Sequence, residues 1–241
     1  EHLEPGRFAD AALNGLQVEG RSEVSRVVLG VSASQRLFER ARDLGADAVL
    51  THHGLFWGRV EPVVGPLAIR LGALLRAELS LLAYHLPLDA HPVDGNNARL
   101  AAALELEDVE PWGDPHGSAI GARGVARAGP SLDGLVAAIG QTCRCEPVVV
   151  GASPAGSVRS VAICSGMAGS SMVLQAIAAG VDVFLTGEPG EPAQELGREA
   201  GLTVVGAGHY NTERFGVQAL GTRLEKDLGI EARFVDLPNP V

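Results

Sequence analysis

Positive charge is scarce in this chain. It carries 19 Lys and Arg against 29 Asp and Glu, a formal net charge of −10. No basic patch stands out, which argues against a nucleic-acid backbone as main partner. Cysteine is scarcer still. Cys143, Cys145 and Cys164 are too few and too irregular for a disulfide framework. The one-residue gap between the first two is not a zinc-knuckle spacing, so all three read as reduced thiols. No apolar run reaches the roughly 18 residues of a spanning helix. The Gly-x-Ser-x-Gly elbow of α/β-hydrolases is missing. Gly166-Met-Ala-Gly169-Ser-Ser has neither the Walker lysine nor the full dinucleotide fingerprint, and reads as a plain strand-to-helix turn. The first residue is Glu1 rather than Met, which leaves the native N-terminus open; a reduced, cytoplasmic setting is the expectation.

What is present is an alternation of short buried strands and helices. VSRVVLGVS (24–32) and ADAVLT (46–51) read as strands around a helix at SQRLFERARDLG (34–45). LAIRLGALLRAEL (67–79), SLLAYH (80–85) and GNNARLAAALEL (95–106) continue as helix, strand and helix. That order predicts an α/β fold with mixed or largely parallel sheets.

The second half repeats the first. VRSVAICSG (158–166) corresponds to 24–32, GVDVFLTGE (180–188) to GADAVLTHH (45–53), and EAGLTVVGAGH (199–209) to AELSLLAYH (77–85). The lead-ins NGLQVEG (14–20) and EPVVVG (146–151) correspond as well. Val-rich strands alone explain the hydrophobic match, but not the shared Gly-x-Asp and Leu-Thr positions. The chain therefore reads as a duplicated α/β unit. It divides near PWGDPHGS (111–118) into a first repeat over 1–115 and a second over 116–241.

Duplication turns scattered polar residues into a set. The strand over 46–51 ends at His52 and His53; its counterpart ends at Gly187 and Glu188. The next strand ends in His85-Leu-Pro-Leu-Asp89, and its counterpart in His209-Tyr-Asn-Thr-Glu213. Carboxyl ends of strands in open α/β sheets are where sites form. Singly, a histidine there is a satisfied polar residue and an acid there is a helix cap. At equivalent places in two repeats they read as metal ligands. Imidazole with carboxylate and no thiolate suits zinc, iron, manganese or cobalt. About five such groups can hold two ions sharing a carboxylate. Pro87 argues against a helix in the first His-x-x-x-acid stretch, and Thr212 is expected to cap a helix beginning at Glu213. Asp47 and Asp182 read as turn residues at the far ends of the strands. Glu188 reads as a supporting group for a ligand, and His91 and His116 as solvated loop residues. Phe56 and Trp57 read either as a wall for a flat ring or as packing.

At these residues the chain resembles the Nif-three-like family of dinuclear-metal-centre proteins, many of which bear the name GTP cyclohydrolase I type 2 homologue. NGLQVEG, THHGLFWG, the stretch from YHLPLDA to GNN, LTGE, GHYNTERFGVQAL and the closing DLPNP carry the resemblance over nearly the whole chain, in the length of the short bacterial form. It implies two intertwined α/β halves assembled as a toroidal homohexamer. It implies two divalent ions per chain held by His52, His53, Asp89, His209 and Glu213, with His85 lining the site. One departure is Glu195 in GEPGEPAQEL, where relatives often carry a histidine.

Two functions follow as expectations. The first is a metal-dependent hydrolase acting on a small molecule, GTP or another nucleotide or phosphoester, with His85 as proton shuttle. The second is a non-catalytic metal-binding or metal-delivery protein working through a ring-shaped oligomer. A purely structural ion is a third reading, in which metal removal melts the fold. No membrane partner is expected.

Overall fold

The computed structural model describes residues 2–59, 61–114, 117–154 and 156–241. In chain order the first half contains β1 (Gly15–Val18), β2 (Arg26–Ser32), α1 (Gln35–Asp43), β3 (Ala48–His53) and α2 (Gly65–Arg76). It continues with β4 (Ser80–Ala83), α3 (Leu86–Ala90), α4 (Asn96–Ala103), β5 (Leu106–Trp112) and β6 (Gly121–Ala126). The second half contains α5 (Leu132–Cys143), β7 (Val148–Gly151), β8 (Ser160–Ala168), α6 (Ser170–Ala179) and β9 (Val183–Pro189). Then come α7 (Ala193–Ala200), β10 (Thr203–Gly206), α8 (His209–Thr212), α9 (Arg214–Leu228) and β11 (Glu231–Phe234). Among the described residues no helix is long and apolar enough to cross a membrane.

The strands form two mixed sheets, ordered β1-β4-β3-β2-β11 and β5-β6-β8-β9-β10-β7. Each contains the same four-strand module. β2, β3 and β4 run parallel with β1 antiparallel outside β4. β8, β9 and β10 run parallel with β7 antiparallel outside β10. The two registers agree: Gly30 faces Thr51 as Cys164 faces Thr186.

The module forms for local reasons that both halves share. Buried Val27, Val28 and Leu29 fill β2, and buried Val161, Ala162 and Ile163 fill β8; strands covered on both faces are continuously apolar in this way. Ser34 caps α1 by accepting from Leu37 N–H at 3.3 Å, worth about 1 kcal/mol. Asp47 Oδ2 accepts from the backbone N–H of Ser25 (2.9 Å) and Arg26 (3.0 Å). Asp182 Oδ2 accepts from those of Arg159 (2.8 Å) and Ser160 (2.9 Å). These two acids thus do more than turn the chain: each ties the start of its own strand to the start of the one before it.

The chain packs as two compact units. One comprises Glu1–Leu88 with Gly216–Leu237, the other Asp89–Phe215 with Pro238–Val241. These units do not follow the repeat boundary read from sequence. β11 pairs with β2 (Glu231 opposite Arg26), so the end of the second repeat completes the sheet of the first. Pro115 and His116, within the proposed boundary, lie outside the described residues. The first unit's core includes Leu37, Phe38, Val49 and Leu81, joined by Phe56. The second is built around Ile139, Ile163, Leu185 and Val205.

Candidate metal centre

In the first unit, β3 extends two residues beyond the expected strand and carries His52 and His53 at its carboxyl end. His85 follows β4 after Tyr84. One ring nitrogen of each of these three histidines lies within 4.8 Å of the others, and the His52 ring centroid is 4.7 Å from His53 and 5.1 Å from His85. Their orientation is set from the opposite side. His52 Nδ1 is 2.9 Å from the Tyr84 carbonyl oxygen. A carbonyl only accepts, so Nδ1 carries the proton and Nε2 the lone pair. His85 Nδ1 is 2.8 Å from Asp10 Oδ1, which fixes the same tautomer. His53 Nδ1 is 3.2 Å from Ser32 Oγ; a hydroxyl can donate or accept, so this contact orients the ring without choosing its tautomer. An acceptor behind the ring and Nε2 in front is the arrangement that prepares histidine to bind a metal ion.

Asp10 carries no mark in its local sequence pattern, yet it supports this trio. Its carboxylate also accepts from Ala12 N–H, Asn14 Nδ2–H and Leu86 N–H at 2.9, 2.9 and 3.0 Å. Burial alone would raise its pKa, but the hydrogen bonds from His85, Asn14 and Ala12 prevail and hold it well below the ordinary carboxylate range. The available signal is the neighbouring NGLQ stretch: Asn14 Oδ1 also accepts from His85 N–H at 2.8 Å. Gln17 Oε1 accepts from Leu55 N–H at 2.7 Å, steadying the turn after the paired histidines. A Cβ on Gly54 would sit 2.2 Å from Gln17 Nε2, so a larger residue here would displace the Gln17 amide.

The aromatic pair divides its labour. Phe56 joins the core, while Trp57 remains 38% exposed. Its indole donates to Gly54 O at 3.2 Å and stands edge-on to His85, centroids 5.1 Å apart at 75°.

In the second unit the donors are mainly acidic. His209 and Glu213 lie one helical turn apart, with Nε2 and Oε2 separated by 3.1 Å. A carboxylate oxygen of Asp89 lies within 4.8 Å of one from Glu213. Asp89 and Glu213 are buried, 6% and 3% exposed. Glu188 takes the supporting place expected of it, its Oε1 2.5 Å from His209 Nδ1. Burial lowers the His209 pKa, but Glu213 and Glu188 outweigh it and raise the imidazole to about 9. A divalent cation at Nε2 therefore competes with a proton.

Three details correct the sequence reading. Leu86–Ala90 is helical despite Pro87, because the first turn has no intrahelical use for a proline N–H. Glu213 does not begin a helix; it closes α8, and α9 starts at Arg214. Thr212 does not cap it either. Its hydroxyl accepts from Gly166 N–H at 3.1 Å and donates back to Gly208 O or His209 O. His91 Nδ1 accepts from Asp94 N–H at 2.9 Å, so it anchors a turn; His116 lies outside the described residues. Glu195 pairs with Arg198 at the surface.

Two glycines make room for the acidic set. Gly166 has φ +69°, and a Cβ there would fall 2.2 Å from Glu213 Oε1. A Cβ on Gly187 would fall 2.6 Å from Gly166 O and 2.7 Å from His209 Cα. Cys164, buried beneath this set, has its thiol pushed well up by burial and then by Asp89 and Glu213. It stays a neutral thiol, and Cys143 and Cys145 are free thiols too. The His52, His53 and His85 trio could thus hold a metal ion, and buried Asp89 and Glu213 with His209 add donors of a chemistry suited to a borderline divalent cation.

Known proteins match the chain over nearly its whole length. The profile of the Duf34/NIF3 (NGG1p interacting factor 3) family matches residues 1–240. A protein of Pseudomonas aeruginosa named GTP cyclohydrolase 1 type 2 homolog is 44% identical over 248 residues, covering 99% of this chain and 94% of that one. The solved structure of protein ybgI, described as of unknown function, superposes with a TM-score of 0.91 at 39% identity, covering 99% and 95% of the two chains. That of a Thermus thermophilus protein, TTHA1606, gives 0.90 at 37% identity, covering 100% and 95%.

Proposed function

The chain belongs to the Duf34/NIF3 family, and from that premise we propose that it is a dinuclear divalent-metal protein acting as a metal-dependent hydrolase. His52, His53, Asp89, His209 and Glu213 would hold the ions, and His85 would move the proton. The observation that carries this reading is the orientation of the histidines. His52, His85 and His209 each have Nδ1 held by a carbonyl or carboxylate, which commits Nε2 as the working nitrogen. When bound, divalent ions supply Lewis-acid polarisation and make water acidic enough to act at neutral pH.

The chain's own residues account for the remaining work. His85 Nε2 accepts a proton from the attacking water and returns it to the leaving atom, while Asp10 keeps the ring from turning and stabilises its cationic form. Trp57 shields one side of His85 and offers an exposed aromatic surface to a substrate. A small molecule with an electrophilic carbon or phosphorus suits this set, with GTP or another nucleotide or phosphoester as the substrate class. A cytoplasmic homohexamer is the proposed working form; free thiols accord with a reducing compartment.

The test is turnover by purified, metal-loaded protein at high concentration against GTP and a panel of phosphoesters. Product formation that disappears in His85→Ala, with metal content retained, is expected. No product from any substrate would leave metal binding or delivery without catalysis as the better reading.

A further inference from the structure

Asp89 is held by side chains that the ligand set does not include. Asn96 Nδ2–H donates to Asp89 Oδ1 at 2.9 Å, and Ser165 Oγ–H donates to the same oxygen at 3.0 Å. Asn97 locks the frame: it accepts from Ser165 N–H at 2.7 Å and donates to Asp89 O at 3.3 Å and Ile120 O at 2.8 Å. Asn96 and Asn97 are fully buried and Ser165 nearly so. Burying three polar side chains costs free energy unless each is paired; here two of them pair with one carboxylate oxygen and the third with the backbone around it.

We propose that Asn96 and Ser165 are positioning residues that select which oxygen of Asp89 serves as metal donor. This rests on the metal reading above. A carboxylate oxygen accepts along two lone-pair directions, and two protein donors occupy both on Oδ1. Rotation about the Cβ–Cγ bond is then fixed, and Oδ2 is presented as a one-oxygen donor. A carboxylate free to rotate would chelate through both oxygens and raise the coordination number of the ion. Asn96 and Ser165 come from different elements, α4 and β8, both in the unit that contains Asp89.

The experiment uses the full chain loaded with cobalt(II), whose visible absorption weakens as coordination number rises. Asn96→Ala and Ser165→Ala are expected to bind cobalt roughly 10–100-fold more weakly and to show weaker, shifted visible bands. Ser165→Thr, which keeps the hydroxyl, is expected to keep the wild-type spectrum. Affinity within about twofold of wild type and unchanged bands in both alanine variants would overturn the proposal. Should Asn96→Ala fail to fold, the Ser165→Ala and Ser165→Thr pair decides it. Wild-type protein that takes up no cobalt would defeat the metal reading itself, whereas uptake with indifferent variants would defeat only this inference.

Discussion

The two repeats share a scaffold and differ at the strand ends. Asp47 and Asp182 do the same job at the amino ends of β3 and β9, each pinning the strand before it. At the carboxyl ends, the first repeat has Val31, Ser32, His52 and His53 where the second has Ser165, Gly166, Gly187 and Glu188. The first presents three imidazoles, oriented by a carbonyl, a hydroxyl and Asp10, with the buried carboxylate of Asp89. The second presents carboxylates, with one histidine held between Glu188 and Glu213. Duplication preserved what the backbone needs, and chemistry diverged where side chains leave the sheet. Gly187 shows why the divergence is tied to packing: the space a Cβ would need there is taken by His209 and Gly166.

Exchanging counterparts breaks the comparison most sharply. Gly166→Ser, which installs the residue of the other repeat, combines a left-handed φ with a collision against Glu213. It should cost about 3 kcal/mol or more by urea denaturation. The reciprocal Ser32→Gly should cost only about 0.5–1 kcal/mol. Equal costs would mean that the strand ends are interchangeable.

Asp47→Ala and Asp182→Ala test the shared part. Each should lose about 2 kcal/mol, and by similar amounts. Backbone donation from Ser25 and Arg26 holds Asp47 low; burial raises Asp182, but donation from Arg159 and Ser160 overcomes it. A depressed folded pKa stabilises above the unfolded value of 3.8, and that stability fades as pH falls through the folded value. The gap between wild type and each variant should therefore narrow below pH 3.8. A gap constant down to low pH would assign the effect to something other than the charge.

The smallest contrast is Thr51 against Thr186. Thr186 donates to Gly166 O at 3.2 Å, whereas Thr51 Oγ1 is buried with no hydrogen-bond partner among the described residues. Thr186→Val should cost about 1–2 kcal/mol, and Thr51→Val should be neutral or slightly stabilising. Thermal denaturation of the pair distinguishes them.

Much of the fold is legible in the sequence, because the alternation of strands and helices follows from apolar runs and the repeats declare themselves through Gly-x-Asp and Leu-Thr. The α/β class and the alignment of 158–166 with 24–32 correspond to the observed registers. Asp10, Asn96 and Ser165 are not legible in this way. Asp10 and Ser165 find their partners across 75 and 76 positions of chain, which no local period encodes; Asn96 is only 7 positions from Asp89, but across the turn between α3 and α4. The helix at Leu86–Ala90 runs against a reading of Pro87 as a breaker, since that reading ignores its place in the first turn. The compact units are hidden for a related reason: β11 joins β2 from more than half the chain away.

We propose His52, His53, Asp89, His209 and Glu213 as the ligands of two divalent ions per chain. Elemental analysis of the purified full chain, prepared with metal in excess and repeated on His209→Ala, tests it most directly. The account predicts close to two divalent ions per wild-type chain and a clear loss in the variant, with the fold retained. A ratio near zero in the wild type, or an unchanged ratio in His209→Ala, would contradict it.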